Sequence, residues 1–529
     1  MRIIAVILWS IVFAKELFLW IWLWQLKEYH IGRFKAHFQT EKGRRLIRQN
    51  LTLLKLFLLA GLVFYPKLFS YLVLALFTIE VLFVLIRVFQ RKLKIPKITK
   101  KTILLLSGGF LFEIFFVYSI LNAWTAQKFF YLYLVFLDMI APLFISGIVI
   151  SFEPFAISWR KKIIAQATEK RRQFKDLVVV GITGSYGKTS TKEFLASILS
   201  EKFNVLKTEK HRNSEVGISF CVLNKLKKEH QIFVCEMGAY EKGGIKLLAN
   251  IVRPQIGILT GINQQHLATF GSLENIKKTK FELIENLPED GLAILNGDNK
   301  YCRELFDKIE IRKKITDKDI RAENIVVEKN QLLFDIFLDK EQARFQVPLL
   351  GKHWIENIMM AILAAKELGM SLEEIAKICQ KIEPMEGMMR LVKTGKNFNI
   401  IDATYSANPD GVIAHLDYLR VWQGKKAIIM PCLIELGNKA AEIHKKIGRE
   451  IGKVCNLAII TTKDYFYYLK EGALESGLKD DQVIFEEKPE AIFEKIKDFQ
   501  GKEDVIILES RVPLSFQERI GIKKEAFFQ

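Results

Sequence analysis

The sequence predicts a helical membrane region followed by an α/β region that carries a phosphate-binding loop. Three observations lead there. Five apolar segments crowd residues 1–151. A β-branched run, Val178 to Val180, passes through Gly181, Gly184 and Gly187 into an amphipathic segment with Phe194, Leu195, Ile198 and Leu199. Beyond it, short apolar runs alternate with helical periodicity, the pattern of a largely parallel sheet covered by helices.

Charge separates the same two regions. Residues 1–176 hold 26 Lys/Arg against 9 Asp/Glu, and residues 177–529 hold 52 against 50, so nearly all of the +19 sits in the first third. The α/β part therefore has no single-sign field for a polyanion, and a nucleic-acid partner is disfavoured. Its six cysteines, Cys221, Cys235, Cys302, Cys379, Cys432 and Cys455, form no C-x-x-C pair, as expected of reduced core thiols.

The apolar segments run at 3–25, 49–65, 68–89, 103–124 and 129–151. Most reach the ~20 residues that cross a bilayer. The first is too long for a cleaved leader and carries Lys15 and Glu16. Seven Lys/Arg in 26–48, six in 91–101 and seven in 160–175 alternate with connections carrying one each, Lys67 and Lys128. Basic loops stay inside, which predicts five spans in the cytoplasmic (inner) membrane, the N-terminus outside and everything after residue 152 in the cytoplasm. Residues 152–176, with Arg160-Lys161-Lys162 and Lys170-Arg171-Arg172, read as a basic linker on the anionic leaflet. Lys15, Glu16, Glu80, Glu113 and Asp138 fall inside spans. Such groups face a bundle interior, either as a polar site for a lipid-linked head group or, more commonly, as structural pairs such as Lys15 with one carboxylate.

The organising motif is G-S-Y-G-K-T at 184–189. A strand, a tight loop and a helix aim backbone N–H groups at one point, where a phosphate is stabilised. Lys188 adds a point charge on the outer phosphates, and the Thr189 hydroxyl reaches a Mg²⁺ ion. Strict spacing places a glycine where Ile182 stands, so the loop is a variant. Gly184, Ser185, Gly187, Lys188, Thr189 and Ser190 are its ATP-binding residues. Strands follow at 231–237, 255–260, 292–296, 398–402, 426–432, 456–461 and 504–509, with helices at 273–286, 355–368, 372–381, 410–421, 439–454 and 488–498.

GITGSYGKTST, CEMGAYEKGGI, LTGINQQHLATFGSLENIKKTKFELI, LNGDN and GKHWIEN, in that order, resemble the Mur ligase family over roughly 177–529. Within it the likeness is to the branch that joins D-alanyl-D-alanine to a UDP-muramoyl-tripeptide. The resemblance implies a P-loop central ATPase domain (177–382) and a C-terminal Rossmann-like domain (383–529). It implies ATP and Mg²⁺, phosphorylation of a carboxylate, and attack of an amine on the acyl phosphate. Glu236, His266 and Lys280 (as carbamate) stand in metal-ligand positions with Thr189; a second cation screens phosphate oxygens. Each also has a plainer reading: a solvated strand-end Glu, a structural His, and one of a surface cluster with Lys277 and Lys278. Asn296, Asp298 and Asn299 resemble an adenine-side turn, although these are ordinary turn formers. His353 and Asn357 fit the nucleotide-contacting G-K-H-x-x-x-N. Arg390 matches the arginine that reaches the γ-phosphate, so the catalytic set is Lys188, Lys280, Arg390 and His266. Asn213 and Glu215, with Gly217, keep part of a substrate motif. Asp402, Tyr405, Asn408, Pro409 and Glu435, with His444 nearby, match substrate-side loops.

The departures are Ala403 for the second Asp of D-D, Ser406 for Asn, and Trp354 for the Asn after His353. His211 and Ser214 weaken the substrate motif, and Leu508-Glu509-Ser510-Arg511 replaces K-G-S-R. The five spans stand where the family carries its UDP-gripping domain. The implied activity is a membrane-anchored acid–amino acid ligase acting on a peptidoglycan precursor and an amino acid or dipeptide. A ligase on a lipid-linked acid and a membrane P-loop ATPase without ligase activity remain alternatives.

Overall fold

The computed structural model describes every residue except 28, 30, 39–42, 45, 47–49, 123–126, 210–211, 265–266, 385–388, 395–397, 405–407, 435 and 523–529. Its contacts divide the chain into Met1–Arg160 and Lys161–Gln529.

The first unit is helical, with long helices Arg2–Leu26, Pro66–Phe89, Lys100–Asn122 and Gln127–Ser151. Trp9, Phe13 and Leu17 of the first pack in one cluster with Val73, Phe77, Leu134 and Val135. The outer faces are apolar as well, with Phe83, Leu111, Phe115 and Leu143 exposed. Water would not stabilise such a surface, whereas hydrocarbon would. Among the described residues, four helices are long and apolar enough to cross a membrane. The second expected span, 49–65, is a helix of 15 residues, Asn50–Phe64. That is about 22 Å, short of the ~30 Å of hydrocarbon, so five full spans become four and a shorter apolar helix.

Lys15, Glu16, Glu80 and Asp138 each pair with an opposite charge. Lys15 lies 2.6 Å from its neighbour Glu16. Lys55 of the short helix reaches Glu80 at 2.8 Å and Asp138 at 2.5 Å. Stranding one member of a buried ion network costs on the order of 3–5 kcal/mol, so the triad pins three helices in register. The sequence reading missed Lys55.

The second unit holds two six-stranded sheets and one three-stranded sheet. The first has order β2-β3-β1-β4-β5-β6, all parallel, built from β1 (Val178–Thr183), β2 (Val205–Lys207), β3 (Ile232–Glu236), β4 (Ile256–Leu259), β5 (Leu292–Leu295) and β6 (Arg312–Ile315). Period-two alternation sends Val180, Ile182, Val234 and Ile258 to one face, against Phe194, Leu195 and Ile358. Val179, Phe233, Cys235 and Leu259 go to the other, against Ile245, Leu248 and Leu283. Three antiparallel strands follow, β7 (Arg321–Val327), β8 (Leu332–Leu338) and β9 (Glu341–Val347).

The second sheet has order β10-β11-β15-β12-β13-β14, from β10 (Arg390–Lys393), β11 (Asn399–Ala403), β12 (Lys426–Met430), β13 (Leu457–Ile460), β14 (Val483–Phe485) and β15 (Val505–Glu509). Only β10 runs antiparallel. Helix Glu153–Arg172 covers most of the expected basic linker. Arg171 is buried and donates to the carbonyls of Val252, Phe174 and Leu177, so this end of the segment belongs to the α/β core.

Candidate active site

The site begins where β1 stops. Gly187 turns the chain with φ +76°, a left-handed conformation glycine adopts without strain, and helix Lys188–Ser200 starts there. A side chain at Gly184 would meet Thr260 Oγ1 at 2.2 Å, and one at Gly187 would meet Asn357 Oδ1 at 2.5 Å. The loop is thus held against β4 and helix Ile355–Glu367 with no room for a Cβ. Lys188 Nζ donates to the carbonyls of Gly184 (2.8 Å) and Ser185 (3.2 Å). Burial lowers its pKa, which the charge of Glu236 opposes. Ser185, Thr189 and Ser190 line a cavity of about 840 Å³ beside it.

Glu236 ends β3 and is 2 % exposed. Its Oε1 accepts from Asn213 Nδ2 at 2.8 Å; its Oε2 receives no hydrogen bond among the described residues and faces Lys192 Nζ at 3.5 Å. Lys192, fully buried, was not singled out from the sequence, although it lies one turn along the helix from Lys188. Lys280 is buried on helix Leu273–Glu285, which Ser272 caps. Burial first, and the charge of Lys188 second, lower its pKa to about 7. A solvated surface lysine is therefore ruled out at this position.

Glu236 with a free buried oxygen, the Thr189 hydroxyl and a lysine able to shed its proton suit a hard divalent cation bound by oxygen. Among the described residues no three His, Cys, Asp or Glu side chains gather into a metal cluster. His266, Tyr405, Ser406 and Glu435 lie outside the described residues.

Asn296, Asp298, His353 and Asn357 also line the cavity. Asn296 donates to Thr260 O at 2.9 Å and accepts from Asp298 N at 2.9 Å. Asn299 instead caps helix Lys300–Phe306 and donates to the Tyr186 hydroxyl at 3.1 Å; it is not part of the lining. Asn357 Oδ1 accepts from Thr191 Oγ1 at 3.2 Å. Both ring nitrogens of His353 are buried without a partner among the described residues, and burial, then His415, holds its pKa well below the usual histidine value. Glu356, in the wall, is raised to about 7 by burial.

From the second sheet come Asn408, Asp410 and His415. Asn408 caps helix Pro409–Tyr418, with Pro409 in its first turn. Asp410 Oδ2 accepts from Asn263 Nδ2 at 2.8 Å, and Asn263 N donates to Ser185 Oγ at 3.1 Å, a chain that reaches the phosphate loop. Arg390 and Asp402 are register partners on β10 and β11, and the guanidinium donates to Asp402 Oδ2 from Nε (3.1 Å) and one terminal nitrogen (3.0 Å). Neither lines the cavity. Glu215 stands in the first turn of helix Glu215–Lys225, capped by Ser214. His444 is buried, accepts from Leu433 N at 2.9 Å and is lowered to about 4 by burial, which suits bracing of the 433 loop. Trp354 donates to Leu350 O and packs on the His353 ring.

A phosphate loop facing a second α/β layer across one cavity, with Glu236 and Lys280 within electrostatic reach of Lys188 in its wall, fits an ATP-dependent C–N ligase. Residues 182–365 match the Mur ligase middle domain and residues 389–511 the Mur ligase glutamate ligase domain, and the chain belongs to the Mur ligase family. It is 29% identical over 343 residues to the UDP-N-acetylmuramoyl-tripeptide–D-alanyl-D-alanine ligase of Bacillus subtilis, covering 64% of this chain and 74% of that protein. To the enzyme of the same name from Escherichia coli it is 30% identical over 276 residues, covering 51% and 61%. The chain thus spans between about three fifths and three quarters of the length of these relatives. Among solved structures, MurF from Acinetobacter baumannii superposes with a TM-score of 0.62 at 26% identity, covering 68% of this chain and 79% of that one. MurF ligase from Thermotoga maritima in complex with ADP shares the fold, with a TM-score of 0.60 at 24% identity.

Proposed function

We propose that the chain is a membrane-tethered ligase that activates a carboxylate of a cell-wall precursor as an acyl phosphate and joins it to D-alanyl-D-alanine or a similar amine. The observation that carries this reading is the convergence of the phosphate loop with Glu236 and with a lysine of pKa about 7 beside a cavity of about 840 Å³. A precursor carboxylate oxygen attacks the γ-phosphorus and ADP leaves; the amine nitrogen then attacks the acyl carbon, phosphate leaves and the nitrogen loses a proton. Lys188 and the loop N–H groups hold the phosphates through both steps. Glu236, Thr189, His266 and Lys280 as carbamate would hold Mg²⁺, which screens phosphate charge when bound. Arg390, released from Asp402, supplies a cation to the transferred phosphoryl group. Names and titles of the relatives support the substrates, and the ADP complex of the Thermotoga protein supports the nucleotide. Full-length protein with MgATP, D-alanyl-D-alanine and UDP-muramoyl-tripeptide should yield amide product and phosphate in equal amounts. Phosphate without amide would leave an ATPase.

A second reading, a lipid-linked acid, is favoured by the apolar first unit. Anchoring raises the effective concentration against a membrane-borne partner without any new contact. Full-length protein and fragment 161–529 are compared on UDP-linked and lipid-linked substrates. Equal activity on the first and none on the second removes this reading.

We also propose an orientation with the catalytic part inside. Reporters fused after residue 45, 97 or 170 are expected to read cytoplasmic, and those near 66 or 126 external, which requires the short helix Asn50–Phe64 to cross a locally thinned bilayer. An external signal after 97 overturns this topology.

A further inference from the structure

We propose that Glu509 and His415 form a positioning pair for the nucleoside half of the bound nucleotide, with His415 making the contact; this rests on the nucleotide reading of the cavity. Glu509 ends β15, where the parallel register sets it beside Ala403 of β11. Register partners in a parallel sheet direct their side chains to the same face. At this level β11 therefore offers only a methyl group and β15 offers the carboxylate. Two departures of the sequence from its family, Ala403 and Glu509, meet at one point. The carboxylate is fully buried, which is costly without a partner, and its partner is His415 Nδ1 at 2.7 Å.

A carboxylate only accepts, so Nδ1 carries the proton and Nε2 is left for a ligand. His415 lines the cavity and packs against His353 with ring centroids 5.2 Å apart at 65°. His353 also lines the cavity and has no hydrogen-bond partner among the described residues. The pair thus joins the wall supplied by the second sheet to the wall supplied by the first.

Position along helix Pro409–Tyr418 tells which part of the nucleotide is met. Asp410, in its first turn, connects through Asn263 to Ser185 of the phosphate loop. His415 is five residues on, about 7.5 Å along the axis. The phosphates and His415 therefore belong to different ends of this helix, and what lies beyond the phosphates of ATP is the sugar and base.

The test uses the full-length protein in bilayer discs, with the variants His415→Ala, Glu509→Gln, Glu509→Ala and the double variant His415→Ala/Glu509→Ala. Binding of ATP and of inorganic tripolyphosphate, which lacks the nucleoside, is measured with KM for ATP and kcat. His415→Ala is expected to weaken ATP binding and raise KM about tenfold, the value of roughly one lost hydrogen bond, with kcat within about twofold. Tripolyphosphate affinity should not move. Glu509→Gln, whose amide oxygen can still accept from Nδ1, should fall between wild type and Glu509→Ala, and the double variant should be no worse than His415→Ala alone. If Glu509→Ala does not fold, His415→Ala and Glu509→Gln still decide. Equal loss of ATP and tripolyphosphate, an unchanged KM, or a fall in kcat at constant KM would each overturn the proposal. Wild-type protein that binds tripolyphosphate and not ATP also overturns it; wild-type protein that binds neither overturns the nucleotide reading itself.

Discussion

Lys188→Ala is expected to lower ATP turnover by about 10²-fold or more while leaving the fold intact, and Glu236→Ala to do the same by a different route. Among the described residues Lys188 donates to the Gly184 and Ser185 carbonyls of its own loop, so its loss strands no distant hydrogen-bond partner there. What disappears is the one cation at the centre of the loop, where charge develops on the transferred phosphoryl group. Glu236 is tied to Asn213 and Lys192. Its removal takes one of the two carboxylates, Glu236 and Glu193, that flank the buried Lys192 ammonium. Glu236→Ala should therefore also cost some thermal stability, which Lys188→Ala should not. Glu236→Gln keeps the side-chain volume and the Asn213 contact but removes the charge that faces Lys192, so stability should return only in part and turnover not at all. Steady-state phosphate release with a thermal melt of each variant decides. Wild-type turnover in Lys188→Ala would remove the nucleotide site from this loop.

The parts of this site written in local spacing were legible in the sequence, and the parts assembled from distant segments were not. The phosphate loop announces itself because two glycines and a lysine must follow a strand within a few residues. Its β-branched strand is fixed by burial on both faces, so its limits were readable as well. Asn299 was read as an adenine-side residue, and an Asn one residue before a helix is also a favoured cap, a role the structure gives it without testing the first. The pairing of Arg390 with Asp402 follows from an antiparallel register that no local pattern states. His415 and Glu509 are 94 residues apart, and only the adjacency of β11 and β15 brings them together. The strand β7 went unrecognised because it buries almost nothing, leaving its alternation without a hydrophobic face, whereas β8, with Leu332, Phe334, Ile336 and Leu338 buried at period two, was legible and was missed. In the apolar first unit hydropathy located the long helices but not the short Ile31–His37, and the 15 residues of Asn50–Phe64 sit at the margin where length, not composition, decides a span.

Lys280→Ala is expected to abolish amide formation and to recover part of it when acetate or formate is supplied. The geometry gives the reason. Lys280 is buried, and burial together with the nearby Lys188 charge lowers its pKa to about 7 from the 10.5 of a free lysine. Only the neutral amine reacts with CO₂, so near pH 7 about half of Lys280 is competent where a solvated lysine would be almost wholly protonated. The product is an anion, which relieves the repulsion from Lys188 that disfavoured the ammonium. The same charge reversal supplies an oxygen ligand near Lys188, in a place where an ammonium would repel a divalent cation. The sign with pH follows: the reactive neutral form is lost as pH falls through about 7. Activity of protein prepared in bicarbonate should fall on that side of the profile, and the fall should disappear in Lys280→Ala rescued by formate. Mass spectrometry after trapping of the carbamate gives an independent reading. Full activity of Lys280→Ala without added carboxylate would reduce Lys280 to a buried positive charge, and a carbamate trapped only on other lysines would do the same.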